Sequence, residues 1–198
     1  MKIVLASNNP GKVREIQEML GAGIEIVPQA MLGIAEADEP HATFVENALA
    51  KARHASRAAG LPALADDSGL CVSALGGEPG VHSAYYAGRN GPREERDAHN
   101  NLKLLETLAD ERKAYYYCVM VFVRRTDDPR PLIAEGLWHG QIARVPRGRN
   151  GFGYDPLFLI PALGKTAAEL SPAEKNRISH RALALRRLLE LLHAADQA

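Results

Sequence analysis

Cysteine is almost missing from this chain: Cys71 and Cys118 are the only two among 198 residues. They stand far apart and form no C-x-x-C, which excludes a zinc knuckle and a disulfide framework and fits two reduced, packed thiols. An excess of one charge is missing as well. Lys plus Arg and Asp plus Glu number 24 each, which excludes a basic nucleic-acid coat and an acidic tail protein. No apolar run approaches the ~18 residues of a membrane-spanning helix. The longest lies around Cys118 to Val123, and the first, Lys2 to Ala6, is too short for a signal-peptide core. The expectation is a cytoplasmic protein without membrane contact. Repeats, linkers and low-complexity segments are also lacking. At 46% apolar residues the chain is globular, long enough to bury about 70% of its surface without a structural metal.

What is present reads as alternating short strands and helices. Lys2 to Ala6 is a buried strand that feeds Ser7-Asn8-Asn9-Pro10-Gly11. A helix over Lys12 to Leu20 carries Val13, Ile16, Met19 and Leu20 on one stripe and stops at Gly21 and Gly23. Ile24 to Val27 is a second strand. An acidic irregular stretch, Ala30 to His41, precedes the capping box Thr43-Phe44-Val45-Glu46 and a helix to about Ala59. Leu61 to Ala65 is a strand ending in Asp66-Asp67-Ser68-Gly69, with Leu70 to Leu75 extended beyond it. Glu94 to Leu108 is a helix with Leu102, Leu105 and Leu108 inward. Ala114 to Arg124 is apolar on both faces and so central, with Leu132 to Gly140 as its antiparallel partner. Leu157 to Ile160 is a strand, and Ser171-Pro172-Ala173-Glu174 caps a last helical region. The fold class is mixed α/β, not a pure doubly wound sheet.

Charge is uneven along this neutral chain. Residues 36–67 carry a net −3 and residues 165–187 a net +4. Brought together, such segments suit a divalent cation and a polyphosphate; apart, they are solvated faces. Ser7 to Lys12 joins a strand to a helix, where unpaired N–H groups favour anions and Lys12 adds a full charge. It is not a Walker phosphate loop, because Ala6 stands where that motif needs glycine, and Leu159 fails Gly164-Lys165-Thr166 in the same way. Asp66 and Asp67 are adjacent in an extended segment, so only one is expected to face a site. That one can hold Mg²⁺ or accept a proton from water; the ordinary alternative is an Asx turn. In Gly151-Phe152-Gly153-Tyr154-Asp155-Pro156 two glycines bracket a ring, as in a stacking platform for a base, with Asp155 placed to accept from ring N–H groups. In one unbroken helix Lys175 and His180 would splay about 140° apart, so either they serve different ends of a ligand or the helix breaks near Ser179; the break is the favoured expectation, and the ordinary alternative is a solvated His180–Arg181 pair.

Taken in order, these pieces resemble the inosine triphosphate pyrophosphatase family. The resemblance covers residues 2 to about 192 and rests on Ser7–Lys12, Thr43-Phe44-Val45-Glu46-Asn47-Ala48 with Lys51-Ala52, Ala65 to Leu70, Gly151 to Pro156, Lys165 to Leu170, and Ile178-Ser179-His180-Arg181. It implies one domain over 1–198 with an elongated mixed sheet flanked by helices, two lobes with a cleft between them, and a homodimer. It implies Mg²⁺-dependent hydrolysis of deaminated purine nucleoside triphosphates (dITP, ITP, dXTP, XTP) to a monophosphate and pyrophosphate, without a stable nucleic-acid complex. By motif, Asp67 is the general base or a metal ligand, and Glu39 a metal ligand. Ser7, Asn8, Asn9, Pro10, Gly11, Lys12, Lys51 and Ser68 surround the phosphates and sugar, and Lys175 contacts the nucleotide. Phe152 and Gly153 carry the base, and Tyr154, Asp155, His180 and Arg181 read its edge. Two departures stand out: Glu39-Pro40-His41 where members often read Glu-x-Gly, and Tyr85 where arginine is frequent. The rival readings are a silent nucleotide- or RNA-binding module and a pyrophosphatase for other modified nucleotides.

Overall fold

In a computed structural model, which describes residues 1–20 and 23–196, the chain begins with β1 (Lys2–Leu5), α1 (Pro10–Met19) and β2 (Glu25–Pro28). It continues through α2 (Phe44–Ala59), β3 (Ala63–Val72), α3 (Arg93–Thr107), β4 (Lys113–Val123) and β5 (Leu132–Ile142). It closes with β6 (Phe158–Ile160), β7 (Lys165–Thr166), α4 (Pro172–Ile178) and α5 (His180–Asp196). The seven strands form one sheet in the order β2-β1-β3-β4-β5-β6-β7. β1 is parallel to β2 and β3, whereas β6 is antiparallel to β5 and β7, so the sheet is mixed. β4 is its middle strand and is buried without interruption from Cys118 to Val123. None of the helices among the described residues is long and apolar enough to cross a membrane.

The chain groups into two compact units. One comprises Met1–Asp67, Cys118–Gly136 and Arg181–Ala198; the other comprises Ser68–Tyr117 and Leu137–His180. The first has a core that includes Leu5, Ile16, Met120, Phe122, Leu185 and Leu188. In the second, Leu70, Leu104, Tyr116, Trp138, Leu157 and Phe158 form part of the core. On α2 the alanines Ala48, Ala52 and Ala55 are fully buried, and side chains of one methyl let this helix lie against β1. Asn47 and Lys51, one turn apart on α2, are buried with them.

Several boundaries differ from the sequence expectation. β3 runs unbroken through Asp66-Asp67-Ser68-Gly69, where the strand was expected to end. Buried carboxylates are tolerated inside a strand only if they are paired, and the partners lie elsewhere in the chain, as described below. Gly69 is required there by space: a Cβ would stand 2.2 Å from the Gly80 carbonyl oxygen and 2.5 Å from Ser83 Oγ. α1 starts at Pro10 rather than Lys12, because Pro occupies the first turn and the Asn9 side chain accepts from the N–H groups of Gly11 and Lys12. Gly21 lies outside the described residues. Of the α3 leucines, Leu108 is buried and Leu105 packs against the same core, as expected; Leu104 is fully buried there too, whereas Leu102 is 55% exposed. The break near Ser179 is present: Ser179 is extended at φ −69°, ψ 160°, and separates α4 from α5.

Candidate functional site

Two clusters of polar side chains are buried, one in each unit. The first is built where β3 passes α1, α2 and α5. Lys12 Nζ, from the first turn of α1, lies 3.0 Å from Asp66 Oδ2. The same oxygen accepts from Arg181 Nε at 3.3 Å and Nη2 at 3.1 Å, and Arg181 Nη1 pairs with Glu15 of α1. Asp67, the next residue, has other partners. Lys51 Nζ lies 3.1 Å from its Oδ1, and Asn47 Nδ2 donates to its Oδ2 at 3.4 Å. Lys51 also binds Glu39 Oε1. Asn47 exchanges two hydrogen bonds with the backbone of His41, at 3.0 and 3.1 Å, and so pins the loop that presents Glu39.

The two aspartates have opposite electrostatic fates. Burial would raise the Asp66 carboxyl, but Lys12, Arg181 and Lys51 overcome it and hold Asp66 well below the usual carboxylate range. For Asp67, burial prevails over Lys51 and Lys12, with Glu39 adding repulsion, and its affinity for a proton is raised. Burial alone would lower the Lys51 ammonium, yet Asp67 and then Glu39 push it above the ordinary lysine value. A carboxylate with raised proton affinity is the better acceptor from water, so of the two Asp67 is the one suited to that task, while Asp66 is occupied in pairing cations.

Whether a metal fits can be judged from the donor set. Among the described residues no three of His, Cys, Asp or Glu gather into a metal-holding group. Asp67 and Glu39 nonetheless reach the same ammonium, so both lie within range of one common cation. The cluster counts four carboxylates (Glu15, Glu39, Asp66, Asp67) against three cations (Lys12, Lys51, Arg181). Asp66 Oδ1 is moreover buried without a hydrogen-bond partner. A small hard cation held by one or two carboxylates, with substrate phosphates and water completing its shell, suits such a site.

The second cluster surrounds Phe152. Gly151 has φ +76°, and a Cβ there would stand 2.0 Å from Asp155 Oδ2, so only glycine lets the loop close on this carboxylate. Asp155 accepts from the Phe152 N–H at 3.0 Å, from Lys175 Nζ at 2.5 Å and from the Tyr116 hydroxyl. Lys175 Nζ also lies 4.8 Å from the Phe152 ring centroid. The His180 ring stacks on Tyr116 at 4.6 Å and 10°, with Trp138 at 6.3 Å. These rings come from β4 and β5, and the extended Ser179 delivers His180 to them.

The structure thus gathers Lys12, Lys51, Asp67 and Glu39 in one unit and Phe152, Asp155, Lys175 and His180 in the other. Several of the expected site groups already have partners within the protein. Tyr154 is buried and its hydroxyl donates to the Ser83 carbonyl at 2.9 Å. Arg181 belongs to the first unit and is held between Asp66 and Glu15. Asp155 already serves three donors, which leaves it at most limited capacity for a ring N–H. The N–H groups of Gly11 and Lys12 are taken by Asn9 rather than open to an anion. Ser7 Oγ accepts from the Asn9 N–H at 3.2 Å, Asn8 and Pro10 are exposed, and Ser68 is half-buried in β3. At the second departure, Arg89 lies 3.9 Å over the Tyr85 ring, so a cation does stand beside that position. Asn47, Glu15 and Tyr116 were without an assigned role in the sequence. Asn47 had a signal, its i, i+4 spacing from Lys51; the other two had none.

Comparison with known proteins gives a consistent result. The model of the Ham1 family matches residues 3–191. A protein of Burkholderia pseudomallei named dITP/XTP pyrophosphatase is 67% identical over 96% of this chain and 93% of its own. One of the same name from Ralstonia nicotianae is 62% identical over 100% and 99%. The solved structure of a HAM1 protein from Coxiella burnetii superposes with a TM-score of 0.89 at 49% identity, covering 98% of this chain and 99% of that one.

Proposed function

The chain belongs to the Ham1 family, and on that footing we propose that it is a dITP/XTP pyrophosphatase. It hydrolyses deaminated purine nucleoside triphosphates to the monophosphate and pyrophosphate and so clears them from the nucleotide pool. The observation that carries the reading at the level of chemistry is the contrast between Asp66, held ionised by Lys12 and Arg181, and Asp67, made proton-seeking by burial. Asp67 orients water and takes its proton as the oxygen attacks the α-phosphorus; the bond to the bridging oxygen of the β-phosphate breaks, and pyrophosphate leaves. Lys12 and Lys51 offset the charge that gathers on the departing pyrophosphate. Asp67 and Glu39 are the residues that would hold Mg²⁺, whose contribution when bound is further neutralisation of phosphate oxygens.

In this reading the second cluster handles the base. Phe152 stacks on the purine, Asp155 and Lys175 keep the ring and its loop in place, and His180 lies at the base edge. The remaining phosphate and sugar contacts fall to Ser7, Asn9 and Ser68. The enzyme works as a homodimer in the cytoplasm, a location that its two free, buried thiols suit. The test is pyrophosphate release across a panel of dITP, ITP, XTP, dGTP, dATP and dUTP, with Mg²⁺ and with a chelator. Release confined to the deaminated purines and abolished by chelation is expected. Absence of release from dITP and XTP would refute the proposal, and undiminished release under chelation would remove Mg²⁺ from it. Sedimentation of the purified protein checks the dimer.

A further inference from the structure

Three side chains of α3 converge on the loop that carries Phe152. Arg93, Asp97 and Asn101 are spaced by four residues and so share one helix face. Asp97 Oδ2 accepts from the Gly153 N–H at 2.9 Å. Asn101 Nδ2 donates to the Gly153 carbonyl at 2.8 Å and to the Asp97 carbonyl at 2.7 Å. Both of its partners are acceptors, which fixes the orientation of the amide. Arg93 places its guanidinium 5.0 Å from the Phe152 ring centroid, with Nε 3.7 Å from Asp97 Oδ2. The N–H of Phe152 is taken by Asp155, whose own N–H donates to the Phe152 carbonyl at 3.3 Å. All four backbone polar groups of Phe152 and Gly153 are therefore engaged, and α3 supplies both partners of Gly153.

We propose that Asp97 and Asn101 are positioning residues for base recognition: together they fix the Gly153 peptide so that Phe152 meets the purine in one set plane. The proposal rests on the reading of Phe152 as the base platform. A loop with glycine on both sides of its aromatic residue has wide backbone freedom, and Gly153 itself sits at φ +64°. Without an external clamp, that freedom would have to be removed each time a base bound. Asp97 and Asn101 remove it beforehand. Neither touches the reacting phosphorus in this account, so their loss falls on KM more than on kcat.

The experiment is steady-state kinetics with ITP on the full-length enzyme carrying Asp97→Ala, Asn101→Ala, Asp97→Asn or Phe152→Ala, and on each α3 variant combined with Phe152→Ala. One lost hydrogen bond corresponds to a rise in KM of roughly 3- to 10-fold, which is expected for Asp97→Ala and Asn101→Ala with a smaller change in kcat. Asp97→Asn keeps an oxygen for the Gly153 N–H and is expected to recover most of the loss. In the Phe152→Ala background the α3 substitutions should add nothing further. Additive losses, or an Asp97→Asn enzyme no better than Asp97→Ala, would overturn the proposal. If Phe152→Ala raises KM and the α3 variants do not, this proposal alone fails; if Phe152→Ala leaves KM unchanged, the platform reading fails with it. Should Asp97→Ala not fold, Asn101→Ala carries the same cycle from the carbonyl side.

Discussion

Asp66 and Asp67 are consecutive residues of one strand, yet Lys12 and Arg181 lower the proton affinity of the first while burial raises that of the second. The alternation of a strand sends them to different partners, and those partners, not the aspartates themselves, set how each holds a proton.

Asp67→Asn preserves size and removes the acceptor. A fall in kcat of roughly 10²- to 10⁴-fold is expected, the usual worth of a general base. Pyrophosphate release under saturating ITP measures it, and near-normal turnover would transfer the role to another group.

The acid side of the pH profile follows from the same group. Asp67 must be ionised to accept a proton, so kcat/KM falls on the acid side; burial raises this group above the 3.8 of an ordinary aspartate when no metal is bound, and a bound cation would oppose that rise. Lys51 opposes that rise. Lys51→Met should therefore move the acid limb to higher pH, besides weakening phosphate binding. An acid limb that shifts downward in this variant would contradict the pairing.

Stability responds to pH through Asp66 with the opposite sign. Its folded-state affinity for protons is lowered, so it contributes stability above the ordinary aspartate value and loses it progressively as the solution becomes more acidic. Asp67, whose affinity is raised, costs stability at neutral pH and relieves that cost as it protonates. Asp66→Asn removes the buried charge shared by Arg181 and Lys12, while Glu15 still pairs with Arg181, and costs about 3 kcal/mol. Denaturant melts at neutral and acidic pH should show a less stable variant with a flatter acid dependence.

Gly69→Ala tests close packing within the second unit. In a strand the exchange ordinarily gains a few tenths of a kcal/mol to about 1 kcal/mol by restricting the unfolded chain. Here the new methyl meets the Gly80 carbonyl at 2.2 Å, and Ser83, which also receives the Tyr154 hydroxyl bond, must move. Overpacking at about 1–3 kcal/mol outweighs the gain, so thermal melting should shift down, by about 2–4 °C per kcal/mol in a chain of this size.

Features set by neighbouring residues were legible in the sequence. Thr43 and Ser171 cap their helices as their spacing to Glu46 and Glu174 implies, and the break at Ser179 follows from the incompatible directions of Lys175 and His180. The continuity of β3 was not legible, because the cations that allow Asp66 to be buried stand 54 and 115 residues away, on α1 and α5. The same holds for α3. Asp97 and Asn101 look like an ordinary polar helix face until Gly153, more than 50 residues further on, is folded against them.

The extended residue between α4 and α5 makes the chain sensitive to length at that point. His180 and Arg181 are neighbours in sequence but answer to different cores, the first stacked with aromatic rings and the second sunk among carboxylates. Each tolerates its place only because Ser179 sets the phase at which α5 begins. Deleting or inserting one residue there would turn the helix start by about 100°: a deletion would offer the guanidinium to the rings, and an insertion would offer the imidazole to the acids.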